Sequence, residues 1–370
     1  MTETHILDPK GEVTIVLKTP NAPLAQIPRP PETKPAGDAT SDMASNVISP
    51  SSSPDAAVAT PSADLPSDLE IQDDNTSSDK ADEVRFIVSA SHLILASPVF
   101  RHALTGEWIE SQELRRQGTA EIEASGWDTE AFLILLRIIH CKPYDLPKEV
   151  SLETLAKLAL IADYYDCVKL VQWYADAWIS KVLPFRACFS IHEDGMRDMI
   201  IRLWVAWVFD VAEEFTSYSS YIMENAKYPI TSLGLPIPAG ILERLNRNRE
   251  LAITYVLTNI EDKQSEILRT KDRCTLACRS MTLGALSIFM HEKQALTSAP
   301  PYAGISMGDL SRSARSLKLG KWREYIESDS PRFRWHECNY SNFAMIFLRL
   351  PCTSKGLDII NFKGWYVHLC

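Results

Sequence analysis

Two pairs of soft-ligand residues stand out among the eight cysteines and eight histidines of this chain: Cys274-x3-Cys278 and His336-x-Cys338. Cysteines four apart share one face of a helix. A His-x-Cys pair on a distant loop can close a tetrahedral zinc site with them. Such a site would be a structural staple, since no general base accompanies it as an open catalytic site requires. The plainer account is that unpaired thiols pack as small buried hydrophobes. Apart from this structural zinc, no cofactor is expected.

A second pattern points to nucleophilic chemistry. Gly304-Ile305-Ser306-Met307-Gly308 has the spacing of a nucleophile elbow, in which a serine sits on a strained turn between a buried strand and a helix. The preceding Ala299-Pro300-Pro301-Tyr302-Ala303 is no such strand, and no parallel βαβ pattern surrounds it. The match is set aside. Nothing else in the sequence speaks for an enzyme, and no catalytic residue is assigned.

The elements that must position these residues occupy 370 residues, 45% of them hydrophobic, enough for two compact domains. A net charge of −10 argues against a general nucleic-acid surface, which needs clustered Lys and Arg. The most basic stretch, with Arg312, Arg315, Lys318, Lys321 and Arg323, reads as the solvated side of a short helix. The N-terminus lacks a secretory apolar core, and the longest apolar run, Met199–Val211, is broken by Arg202 and too short to span a bilayer. Neither nucleic acid nor membrane is expected as a partner. Free thiols and a cytoplasmic or nuclear location are.

Residues 20–83 hold ten of the 22 prolines and no aromatic residue or cysteine, so they read as a disordered Pro/Ser/Asp-rich insertion. Ser49-Pro50, Ser53-Pro54 and Thr60-Pro61 within it resemble proline-directed phosphorylation sites. On either side lie strand-like segments, Glu12–Lys18 and Glu83–Val88, which suggest a hairpin with an expanded loop. Short helices follow at His92–Ala96 and Val99–Leu104, the first capped by the Ser89–Ser91 region. A polar loop at Thr105–Gly118 leads to a strand at Thr119–Glu123. Helical spacing then predicts helices at Ala131–His140, Leu152–Tyr165 and Val168–Lys181. His92, Phe100, Phe132 and Leu136 read as core.

The segment Phe86-Ile-Val-Ser-Ala-Ser-His-Leu-Ile-Leu-Ala-Ser-Pro-Val-Phe-Arg101 resembles the hallmark of BTB/POZ domains. So does Leu155-Ala-Lys-Leu-Ala-Leu-Ile-Ala-Asp-Tyr-Tyr-Asp-Cys167, and the order of elements agrees. The resemblance covers about 6–183 without the insertion and is closest to fungal members. It implies an α+β fold, a small sheet flanked by helices, followed by a mostly helical C-terminal region. The domains expected are a first strand in 1–19, the insertion at 20–83, the remainder of the BTB/POZ domain at 84–183, a helical domain at 190–295 and a mixed region at 296–370 packed upon it. The run Met199–Phe215, a long helix Ile241–Leu268 and a helix Arg273–Glu292 make up most of the C-terminal half. That half also resembles the region after the BTB domain in fungal members, through Cys274–Leu286, Pro300–Leu310 and 356–362.

The resemblance implies a protein-interaction adaptor or scaffold. Some BTB domains bind a cullin through a hydrophobic-x-Glu element after the second helix, and Trp108-Ile109-Glu110 fits that element. A cullin-type ubiquitin ligase adaptor is therefore one alternative. A nuclear transcriptional co-regulator without its own DNA-binding module is another. Self-association stays open, although few residues precede the first strand, which disfavours the strand-swapped dimer of many animal members.

Overall fold

The computed structural model describes residues 3–26, 83–184, 193–270, 274–293, 299–318, 323–326, 332–336 and 355–363. The insertion read at 20–83 falls outside them from residue 27 to residue 82, as do its Ser-Pro and Thr-Pro sites. Its first residues do not. Leu24 and Ala25 are buried, and their carbonyls accept hydrogen bonds at 3.0 Å from Arg197. Asn21 Oδ1 accepts the backbone N–H of Thr129 at 3.0 Å. The boundary at residue 20 is thus corrected: residues 20–26 belong to the folded body, because two apolar side chains and a guanidinium tie them down.

Four strands form a mixed sheet in the order β1-β3-β2-β4, with β1 at Glu3–Ile6, β2 at Val13–Lys18, β3 at Glu83–Val88 and β4 at Ala120–Ser125. β2 runs antiparallel to β3, with Lys18 opposite Glu83, and parallel to β4. Period-2 alternation sends Val84, Phe86 and Val88 of β3, and Ala120, Ile122 and Ala124 of β4, to the core. β2 lies between two strands and is buried more completely, Val13, Ile15, Val16 and Leu17 all being covered. The solvent face carries charge pairs, Arg85 with Glu121 and Lys18 with Glu123. Sequence reading missed β1, which lies parallel to β3 from Glu3↔Val84 to Ile6↔Ile87.

Helices α1 (Ala90–Ala96) and α2 (Pro98–Thr105) form a tight pair joined at Ser97. Ser97 is fully buried and has two tasks: its hydroxyl accepts from Phe100 N–H as the N-cap of α2 and donates to the Tyr165 carbonyl at 2.6 Å. The Ser89–Ser91 region was expected to cap α1; the N-cap residue is Ser89, whose side chain makes no capping bond. Its backbone N–H instead donates to His140 Nε2 at 2.9 Å. His92 is only partly buried and stacks on His140 with ring centroids 5.1 Å apart.

The stretch 105–118, expected to be a loop, contains a helix, α3 (Ile109–Gln117). Its residues are mostly polar, so no apolar periodicity announces it. Gly118 in the left-handed region (φ 76°) ends it. α4 (Thr129–Ile139) is capped by Asp128, α5 (Leu152–Tyr164) by Ser151, and α6 (Val168–Val182) follows. Phe132 of α4 meets Phe86 edge-on at 5.2 Å, joining helix to sheet.

The core does not stop at the end of α6. α7 (Glu193–Val208) packs on α5, and α8 (Ala212–Asn225) packs on α7. Leu203, Trp204, Phe215 and Tyr218 share one hydrophobic cluster with Phe86, Phe132 and Leu155. The apolar run Met199–Phe215 is not one helix, because Asp210 (φ 59°) turns the chain between α7 and α8. α9 (Ala239–Arg269) bridges to a second cluster made with α10 (Leu276–Glu292) and α11 (Met307–Ser316). β5 (Arg323–Ile326) and β6 (Arg332–Trp335) form an antiparallel hairpin. Residues 355–363 lie on α8: Leu357 exchanges hydrogen bonds with Ser219 and Thr216, and a Cβ on Gly356 would stand 2.0 Å from the Thr216 carbonyl oxygen. No helix among the described residues is long and apolar enough to cross a membrane.

Candidate functional site

Two places bring together residues that the sequence singles out. The first is the corner where α2 meets α3. Trp108 is the N-cap residue of α3 and Ile109 its first residue; they are 56% and 71% exposed. Exposed side chains of this size, side by side, are unusual enough to ask what they meet. Glu110 is half-buried in the first turn, where a carboxylate suits the positive end of the helix dipole.

The corner is held rigidly from below. Arg115 donates through Nη2 to the Thr105 and Gly106 carbonyls, each at 2.8 Å, and to Ser111 Oγ at 2.7 Å. Gly106 permits the turn, because a Cβ there would lie 2.6 Å from the His102 carbonyl oxygen. The ring of His102 meets Trp108 edge-on at 6.0 Å and fixes one side of the indole. The arrangement presents two apolar anchors beside an acid, with no reactive group among them. Arg115, which does the positioning, was not legible in advance: in Glu-Leu-Arg-Arg-Gln it looks like any solvated cation.

The second place lies at the entrance to α10. The ligand atoms of Cys274, Cys278 and His336 all lie within 4.8 Å of one another. Cys274 Sγ and His336 Nε2 are 3.3 Å apart. The two cysteines were expected on one helix face, but Cys274 precedes the N-cap Thr275, and only Cys278 is inside the helix. They converge because the chain bends into the first turn. Neither is in a disulfide, and Cys278 is fully buried. His336 follows the last residue of β6. Cys338, the fourth ligand expected, lies outside the described residues.

Other cysteines differ. Burial pushes the Cys167 thiol up to about 12, with nearby Asp166 adding to the effect, so it stays protonated as a small core group. Ser306, the serine of the elbow-like segment, has its hydroxyl committed as the N-cap of α11, accepting from Asp309 N–H, and is buried. A helix cap satisfies that spacing without any nucleophile.

No curated protein and no solved structure matches the chain, so no relative carries the closeness to fungal members. A family model does match, that of the BTB/POZ domain, over less than a third of the chain. It takes in β3, β4 and α1 to α6 except the last residue of α6, and leaves out β2, the central strand of the same sheet. The sheet order supplies what the linear match omits, since β2 pairs with both β3 and β4 from the far side of the insertion. Residues 78–181 of this chain are a BTB/POZ domain, a protein-interaction module that here takes its central strand from residues 13–18.

Proposed function

We propose that this chain is a protein-interaction adaptor that docks a partner through the α2–α3 corner of its BTB/POZ domain. The observation that carries this reading is the exposure of Trp108 and Ile109 on a helix start held by Arg115. Aromatic anchors of this kind, desolvated in a partner's pocket, dominate binding energy in protein interfaces. A rigid corner also loses little conformational freedom on docking.

The partner class that fits best is a helical scaffold of the cullin type. Trp108 and Ile109 would enter a groove between its helices, and Glu110 would accept a hydrogen bond at the rim. The resemblance of Trp108-Ile109-Glu110 to the hydrophobic-x-Glu element supports this choice. The test is binding of the full chain to a purified cullin N-terminal region by titration calorimetry. Trp108→Ala is expected to cost about 2 kcal/mol or more, roughly thirtyfold in affinity. Because Trp108 is already more than half exposed, the variant should fold with an unchanged melting temperature. Equal affinity of wild type and Trp108→Ala, or no binding by either, would remove the cullin from the proposal.

A further inference from the structure

Independently of the adaptor reading, we propose that Cys274, Cys278 and His336 bind a zinc ion that staples the β5–β6 hairpin to the N-terminus of α10. Three observations support it. First, the donors come from two places far apart in sequence, 62 residues separating Cys274 from His336, yet their ligand atoms gather within 4.8 Å. Around one tetrahedral zinc, with Zn–S of about 2.3 Å and Zn–N of about 2.0–2.1 Å, a sulfur and an imidazole nitrogen lie about 3.6 Å apart. The 3.3 Å between Cys274 Sγ and His336 Nε2 is close to that spacing.

Second, the donor set suits a soft or borderline metal ion rather than a hard one. Two thiolates and an imidazole select zinc over magnesium or calcium, which require oxygen ligands. Third, both cysteines sit at one fixed end of α10. Cys274 precedes Thr275, the N-cap of α10, and Cys278 lies in the first turn, its N–H donating to the Thr275 hydroxyl. Arg279 fixes this helix start by donating to the Ile267 and Leu268 carbonyls at the end of α9.

The role is structural. Among the described residues, the strands of the hairpin pair only with each other, and His336 beside β6 reaches the start of α10 through its side chain. A metal with ligands on α10 and beside β6 supplies that attachment as a strong bond between two elements. With three protein ligands assigned, the fourth position falls to water or another donor of the chain.

The experiment is metal analysis of the full chain purified without chelator and dialysed, with zinc quantified by plasma mass spectrometry. One zinc per chain is expected, falling to background in Cys278→Ser and in His336→Ala and retained in Cys141→Ser. Replacement of zinc by cobalt in the wild type gives a readout that does not depend on any variant folding. It should show thiolate-to-cobalt charge transfer and the intense visible bands of a tetrahedral ion. Wild-type protein that retains no zinc and develops no cobalt bands overturns the site. So does stoichiometric zinc that survives Cys278→Ser.

Discussion

Arg249 is the residue that the sequence conceals best. It lies among the apolar residues that α9 buries, Leu245, Ile253 and Val256, and is fully buried. Its guanidinium reaches five carbonyl oxygens, those of Ala226, Lys227, Pro301, Tyr302 and Ile305, at 2.8 to 3.0 Å. Only a planar fork with five donors can serve such a set. Arg249→Lys keeps the charge but strands most of these acceptors, and should cost about 3–5 kcal/mol, read as a lowered urea midpoint. A charged letter in a helical stretch reads as solvent-facing, which is why the periodicity of 239–269 alone did not disclose it. His140 carries a different prediction. Its Nδ1–H donates to the Leu136 carbonyl, and its Nε2 accepts from Ser89 N–H, which requires that nitrogen to be unprotonated. Burial pushes its pKa below the usual histidine value, against the Leu136 hydrogen bond and Asp8, with His92 and Lys142 adding to the effect. The unfolded chain then binds the proton more readily than the folded one. The stabilisation is complete above about pH 6.5 and is lost as pH falls towards the lower folded pKa. The urea midpoint should therefore fall between about pH 7 and pH 5 in the wild type, and fall less in His140→Gln.

Among the elements, legibility followed hydrophobic contrast. α4, α5 and α6 were readable to within about two residues because apolar side chains recur at helical spacing or cluster in one run. α3 and β1 were not: one is a polar helix held by Arg115 and a left-handed glycine, the other an edge strand with mostly exposed side chains. In α9 the apolar residues mark two faces. Leu251 and Tyr255 are more than half exposed, while the buried line runs through Ile241, Leu245, Arg249, Ile253, Val256 and Ile260. The β2–β3 pairing has its own consequence. Lys18 and Glu83 face each other across the ladder, and residues 21–25 are tied to Thr129 and Arg197. Replacing residues 28–81 by about 14 Gly/Ser residues halves that loop twice and should stabilise the fold by roughly 1.2 kcal/mol, provided residues 20–26 are kept. The measurement is the urea midpoint. A loss of stability would mean that 28–81 makes contacts that favour the fold.

At the scale of the whole molecule, the division at 183/190 expected from the sequence is not a division of the core. α7 covers α5 with Leu203 and Trp204, and residues 355–363 close over α8, so the BTB/POZ domain and the first C-terminal helices form one apolar body. A linker-like change in composition marks a boundary only where buried contacts cease to cross it, and here they cross freely. Of the candidate metal site, the residue types and spacing were visible, but their convergence was not, because nothing local tells how a hairpin at 323–335 returns to the start of α10. The Arg249 cluster, finally, bears on how the molecule comes apart under stress. A guanidinium does not give up its proton in the physiological range, and the carbonyls around it do not take one. Nor does dissolved salt screen hydrogen bonds sealed from water as it screens exposed ion pairs. Acid and salt thus act unevenly on this chain: His140 of the BTB/POZ domain responds to acid and the exposed Lys18–Glu123 pair on its sheet to salt, whereas the joint among α8, α9 and the 301–305 turn does not. Under mild acid in high salt, hydrogen exchange should quicken first in the sheet and α4, with the amides around Arg249 among the last to open.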